Sequence, residues 1–155
     1  MFRKMRRINQ QLSEAECIEI LKSEPRGILS VLGDNDYPYG FPMNFIFEEN
    51  KIYFHCAKEG HKIDSLIKHP KASFCVYDKG FHKDGHWSLN IRSVIVFGKI
   101  QIASDRQKAV LKMRKLAEKY YPDASLIENE MAHADRAECL ELTIEHMSGK
   151  LVNES

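Results

Sequence analysis

No stretch of the chain approaches the roughly 20 consecutive apolar residues that a membrane-spanning helix needs, so no membrane partner is expected. The opening MFRKMRRINQQ is basic but is not followed by the apolar core of a signal peptide, and the chain reads as cytoplasmic. Neither sign of charge is in excess. Lysine and arginine number 23 against 22 acids, and a formal charge of +1 gives no global attraction to nucleic acid. Any anion site must therefore be local. Cysteine is sparse: Cys17, Cys56, Cys75 and Cys139 form no C-x-x-C pair and sit in apolar or amphipathic runs, as reduced core thiols do, so neither a disulfide frame nor a metal is expected. A P-loop, a dinucleotide glycine fingerprint and a nucleophile elbow are all missing. Without repeats or a Pro/Gly/Ser-rich linker, residues 1–155 read as one domain, with residues 1–11 as an arm that is flexible or contacts a partner.

What is present is a strand-rich pattern with a few helices. Ser13 and Glu16 offer a capping box for a first helix with Cys17, Ile20 and Leu21 on one stripe. Three strand-like runs follow, at Ile28 to Leu32, Tyr39 to Phe47 and Lys51 to Cys56, separated by turn-rich G-D-N-D-Y-P and E-E-N. A two-turn helix from His61 is stopped by Pro70, and a fourth strand spans Ala72 to Tyr77. After an irregular stretch from Asp78 to Asn90, Ile91 to Ala103 forms a long strand with Gly98 at a bend or bulge. Ser104 is expected to cap a helix carrying Val110, Met113, Ala117 and Tyr120. C-L-E-L-T-I-E-H then alternates as a last strand, with Leu140, Leu142 and Ile144 inward and Glu141, Thr143 and Glu145 outward. Six strands with few helices suggest a small antiparallel barrel.

One helix start is electrostatically odd. His61 and Lys62 stand where the helix macrodipole disfavours positive charge. A phosphate would reverse the sign, held by first-turn N–H groups and by Lys62, with Gly60 letting the backbone approach. A solvated surface pair balanced by Glu59 and Asp64 explains the same residues, and both readings stay open. His55, just upstream, has the chemistry to pass a proton near neutral pH, although a lone histidine in I-Y-F-H-C is also an ordinary structural residue. His82 and His86 lack a third ligand. The loop that carries them, with Phe81 and Trp87, reads either as a flap over an aromatic ligand or as plain surface.

Taken in order, F-P-M-N-F, K-I-Y-F-H-C-A-K-E-G-H-K-I-D, H-P-K-A-S-F, I-R-S-V-I-V-F-G-K and the closing I-E-H-M-S-G-K resemble the FMN-binding split barrels related to pyridoxamine 5′-phosphate oxidase. Within them the chain is most similar to the 5-nitroimidazole resistance group. The resemblance implies a mainly β fold with flanking helices, a six-stranded antiparallel split β-barrel, assembled as a homodimer with FMN at the interface. It places Pro42, Met43, Asn44 and Phe45 along the flavin ring, His55 and Cys56 beside its ribityl and ring portions, and His61 and Lys62 on its phosphate. Ser93 matches a flavin contact from another strand, with Arg92 nearby, and His55 matches a position proposed as catalytic.

The oxidase branch has an arginine-lysine pair where this chain has His61 and Lys62, and its C-terminal tryptophan and arginine substrate motif is missing here. Oxidation of pyridoxamine phosphate is therefore not expected. The resemblance implies an FMN-dependent oxidoreductase that takes electrons from an external donor and reduces a small planar acceptor such as a 5-nitroimidazole. The competing reading is a non-enzymatic flavin- or haem-binding storage or sensor barrel.

Overall fold

The computed structural model describes residues 1–154. Helix α1 (Glu14–Ser23) starts at the expected capping box: the Glu16 N–H donates to Ser13 Oγ, and the Ser13 N–H donates to Glu16 Oε2 at 2.7 Å. Each bond satisfies a donor that the first turn leaves free. Ser13→Ala is expected to cost about 1 kcal/mol, seen as a fall of about 3 °C in Tm by calorimetry.

Strands β1 (Arg26–Leu32), β2 (Pro38–Asn44), β3 (Ile46–Glu48) and β4 (Lys51–Ala57) follow, then α2 (His61–Lys68), β5 (Lys71–Tyr77), β6 (Phe81–His82) and β7 (Leu89–Ile102). Helices α3 (Arg106–Tyr120) and α4 (Ala124–Met131) precede the long last strand β8 (Ala137–Glu154). All pairings are antiparallel, in the order β2-β1-β5-β7-β8-β4-β3, with β6 on β7. The two ends of that order, β2 and β3, are separated in the chain by Phe45 alone. One run of chain thus pairs with β1 along its first part and with β4 along its second, and the sheet curls back toward its own start as a split barrel does.

Among the described residues the sheet has eight strands, the two-residue β6 included, where six were expected. The expected run from Tyr39 to Phe47 breaks at Phe45, where it changes partner, and the Asp78–Asn90 loop contributes the two-residue β6. Asp105, not Ser104, caps α3, accepting from the Lys108 N–H at 3.1 Å. The last strand continues well past His146. Glu141, expected outward, is buried because α3 packs on the face of β8 that simple alternation leaves to solvent. Burial pushes its carboxyl up, but Lys51 at 2.7 Å and Lys108 at 3.6 Å hold it below the usual carboxylate range. Ile144, expected inward, is half-buried beside a bulge, where pairing passes from Phe97↔His146 to Gly98↔Ile144 and leaves Glu145 unopposed. Gly98 is required there: a Cβ would overlap the Thr143 carbonyl.

Two apolar clusters lie on opposite faces of β4. Ile52 and Phe54 join the barrel interior with Leu29, Phe74, Val94 and Leu142, where Phe74 meets Phe45 and Phe54 edge-on at 4.8 and 5.1 Å. Tyr53 faces the other way, packing with Ile46 and Cys139 under Ala109, Met113 and Leu116 of α3. Strand alternation therefore sends His55 toward the helices and Cys56 toward the barrel side. The N-terminal arm lies along β7 and β8, with the Leu12 N–H donating to the Gly149 carbonyl and the Phe2 ring stacked on His146 at 4.6 Å. The four cysteines are free. Among the described residues no helix is long and apolar enough to cross a membrane.

Candidate functional site

The start of α2 differs from the other helix starts. Ser13, Asp105 and Asp123 each cap a helix through a side chain, whereas Gly60 has none to offer, and the first-turn N–H groups of α2 lack a side-chain acceptor. Gly60 sits at φ 119°, a conformation that side-chain-bearing residues rarely adopt, and a Cβ there would meet nothing within 4 Å. The approach to the helix start is thus open, into a groove of about 210 Å³ lined by Tyr39, Cys56, Gly60, His61, Lys62 and neighbours.

Lys62 is the free cation of this groove. Its Nζ lies 3.4 Å from Met43 Sδ and 4.4 Å from the centre of the Phe41 ring, and among the described residues it enters no ion pair. Half-buried over apolar neighbours, its charge lacks the compensation that buried charges normally have. His61 is differently engaged. Its ring stacks on Tyr39 at 4.2 Å, and its Nε2 accepts from the Asp34 N–H at 3.4 Å, a bond that requires an unprotonated Nε2. A protonated ring presents the same nitrogen to the Asp34 carboxylate, 3.6 Å away. His61 therefore forms a wall of the groove, Lys62 and the helix start supply its cation and its free N–H groups, and Glu59 brings one carboxylate to the same lining without pairing Lys62. Burial pushes the Cys56 thiol up to about 11, so at neutral pH it stands in the groove as a protonated, non-nucleophilic group.

Beside Lys62 runs an unpaired strand edge. β2 pairs with β1 on one side only, so alternate backbone N–H and C=O groups between Pro38 and Asn44 have no strand partner. Pro42 is exposed, Met43 points inward toward Lys62, and Phe45 is wholly committed to the fold. The Phe45 N–H donates to Tyr120 Oη at 2.9 Å, and its carbonyl accepts from Lys119 Nζ at 2.9 Å.

His55 opens into a second space, a cleft lined by Asn44, Met113, Leu116, Tyr120, Met131 and His133 among others. Asn44 and His55 extend the register in which Ile46 pairs Tyr53, so the cleft begins where the free edge of β2 ends. Tyr39 in the groove and Asn44 in the cleft are five residues apart on one strand, roughly 17 Å. The two spaces are connected by a backbone edge rather than by one cavity.

Arg92 and Ser93 line neither space. Arg92 Nε donates to Asp78 Oδ2 at 2.8 Å, and Asp78 also accepts from the Arg92 and Gly80 N–H groups, which pins the root of the Phe81–His82 hairpin. Burial works against the Asp78 carboxylate, but these bonds hold it below the usual range. Ser93 faces outward with Ile95, and His82 and His86 belong to no metal-binding cluster among the described residues. Sequence reasoning missed α4, which supplies Glu130 and Met131 to the cleft. Its signals were Asp123, which caps it through the Leu126 N–H, and the Leu126, Ile127, Met131 spacing.

Comparison with known proteins yields one family and many solved structures of similar fold. The profile of a family described as pyridoxamine 5′-phosphate oxidase matches residues 13–151. No curated protein matches. A candidate 5-nitroimidazole antibiotic resistance protein from Bacteroides thetaiotaomicron superposes with a TM-score of 0.77 at 17% identity, covering 92% of this chain and 87% of that one. An FAD-binding protein from Mesorhizobium loti gives 0.66 at 23% identity, with 92% and 97% covered. The flavocytochrome Anf3 from Azotobacter vinelandii gives 0.71 at 20% identity, with 96% and 72% covered. At these identities the likeness is one of fold.

Proposed function

Because the chain belongs to the pyridoxamine 5′-phosphate oxidase family, we propose that it is an FMN-dependent reductase passing electrons from an external reduced donor to a small planar acceptor such as a 5-nitroimidazole. The observation that carries the reading is the unpaired Lys62 at an uncapped helix start beside a free strand edge. One cation with one set of first-turn amides suits a single phosphate group, hence FMN. The outward backbone groups of Pro42 to Asn44 suit the polar edge of a flat heterocycle, and Cys56 and the Tyr39–His61 stack wall the groove between them. A bound flavin supplies the two-electron chemistry. His55, exposed in the adjoining cleft, is assigned the proton donor to the acceptor.

The reading calls for a homodimer with the flavin at its interface. Pro42, Ile28, Cys75 and Ile95 form one row in register across β2, β1, β5 and β7 on the outer face, flanked by exposed Tyr77 and Phe97. That apolar row starts at the candidate flavin strand and ends at Ile95, two residues from Ser93 on the same face of β7, so a second copy seated there would bring Ser93 toward the partner's groove. The test is the absorption spectrum and bound-ligand mass of the purified protein, followed by anaerobic NAD(P)H and then a nitroimidazole. Bound FMN that is reduced and then reoxidised by the acceptor is expected. A Soret band without flavin, or flavin that no donor reduces, points instead to the storage or sensor reading.

A further inference from the structure

We propose that the cleft under α4 seats the second substrate and selects a small, uncharged, single-ring aromatic or heteroaromatic molecule, with α4 supplying the selectivity. This rests on the flavin reading above and identifies the chemistry that meets the flavin. The floor of the cleft is apolar, built by Met113, Leu116 and Ala117 of α3 and Met131 of α4. Its free space of about 80 Å³ is far below the roughly 300–1,000 Å³ of sites that hold drug-sized ligands. A nucleotide or a second flavin does not fit, and the open cleft admits at most one small ring.

The mouth is polar and sorts by charge. His133 Nδ1 donates to the Asn129 carbonyl at 3.0 Å, which leaves Nε2 of the neutral ring as an acceptor. The His55 ring makes no hydrogen bond among the described residues and remains available to the ligand. Glu130 brings a carboxylate to the same lining, and among the described residues no cation pairs with it. Glu130 is exposed at the mouth, so an anionic ring would meet a like charge weakened by solvent but not removed, whereas an uncharged ring with one hydrogen-bonding edge meets donors and acceptors.

α4 has the character of a selective cover. None of its residues is buried; Arg114 ties it to α3 through Glu128 at 2.6 and 3.2 Å, and Arg106 holds the following turn through the Ala134 and Ala137 carbonyls at 2.6 and 3.3 Å. It is held to α3 by the Glu128 ion pair and by Met131, with no residue along it fully buried. The cleft exists in the space that this leaves. Asn44, where the β2 edge ends, is part of the same lining, so the cleft adjoins the flavin strand.

Benzamide and benzoate, nearly isosteric but differing in charge, test the assignment. Each is titrated into the protein with and without FMN, with affinity read by calorimetry and the His55 and His133 imidazole signals followed by NMR. Benzamide is expected to shift both histidines and to bind at least fivefold more tightly than benzoate. Glu130→Gln should narrow that preference to less than twofold, and Ala117→Leu should weaken benzamide at least tenfold. Benzamide that leaves both histidines unmoved, or a preference that Glu130→Gln does not change, overturns the proposal; the exposed Glu130 variant decides it if Ala117→Leu fails to fold. Flavin that fails to bind while the benzamide results hold overturns the flavin reading alone. Flavin that binds and is reduced while benzamide ignores the cleft overturns this proposal alone.

Discussion

Lys62→Ala is expected to weaken FMN binding by roughly ten- to hundredfold while leaving riboflavin binding within about twofold, from the 1.5–3 kcal/mol typical of a hydrogen bond to a charged group. The two ligands differ only in the phosphate, so the contrast isolates the anchor from the ring. The effect is large because Lys62 is half-buried over Phe41 and Met43 and enters no ion pair among the described residues, Glu59 of the groove lining included. An exposed lysine would lose far more of its strength to solvent screening. His61→Ala should cost FMN less, since its ring is occupied by Tyr39 and Asp34. Fluorescence titration of both flavins against the two variants gives the answer. Equal losses of FMN and riboflavin in Lys62→Ala would remove Lys62 from the phosphate site, and a larger loss in His61→Ala would exchange the two roles.

The difference between these adjacent residues shows where sequence reasoning ends. Gly60, His61 and Lys62 stood out together because a glycine and two basic groups at a helix start contradict the dipole, which is a local signal. The partners that separate them are Asp34, Tyr39, Phe41 and Met43, brought in by the curl of the sheet. The same holds for His55 and Cys56. Their adjacency suggested a shared ligand, but strand alternation puts one under α3 and α4 and the other in the groove. The alternation rule was available throughout; what covered each face of β4 was not.

Other differences follow the same logic. The α1 box and the Gly98 bulge were legible because each depends on residues close in sequence or on one close backbone approach. Glu141 was misplaced because a strand covered on both faces does not obey simple in-out alternation. The break at Phe45 left no local mark, since F-P-M-N-F-I-F reads as one strand-like run with a single proline and a single polar residue. Yet that break ends the free edge of β2 and delivers Asn44 and His55 to the cleft. The feature that shapes the site is thus a change of strand partner, which is a property of topology.

What stabilises that change of partner is α3, and Tyr120→Phe is expected to cost about 1–3 kcal/mol, the loss for one polar group inside the fold, the Phe45 N–H, left without a partner. At Phe45 the backbone leaves one ladder before joining the next, so its N–H and C=O need partners from elsewhere. Tyr120 Oη accepts from the Phe45 N–H at 2.9 Å and donates to the Pro25 carbonyl at 2.5 Å, while Lys119 Nζ donates to the carbonyls of Glu24 and Phe45, each at 2.9 Å. Two adjacent side chains of α3 thereby join the end of α1 to the break. Phenylalanine keeps the ring and removes both Tyr120 bonds, so urea unfolding should show a lower midpoint with little change in slope. Lys119 adds a pH signature. Burial pushes its ammonium down to about 8 from 10.5, so between those values the unfolded chain binds a proton that the folded chain has released. Stability from this group therefore rises with pH across that window and is level below it. The neutral amine still has two N–H groups for its two carbonyls. Measured against Lys119→Met, the wild type should gain stability between pH 8 and pH 10; a constant difference would place the Lys119 charge in solvent. A Tyr120→Phe variant as stable as the wild type would mean that the break at Phe45 is held by the Phe45 ring among Phe74 and its neighbours instead of by α3.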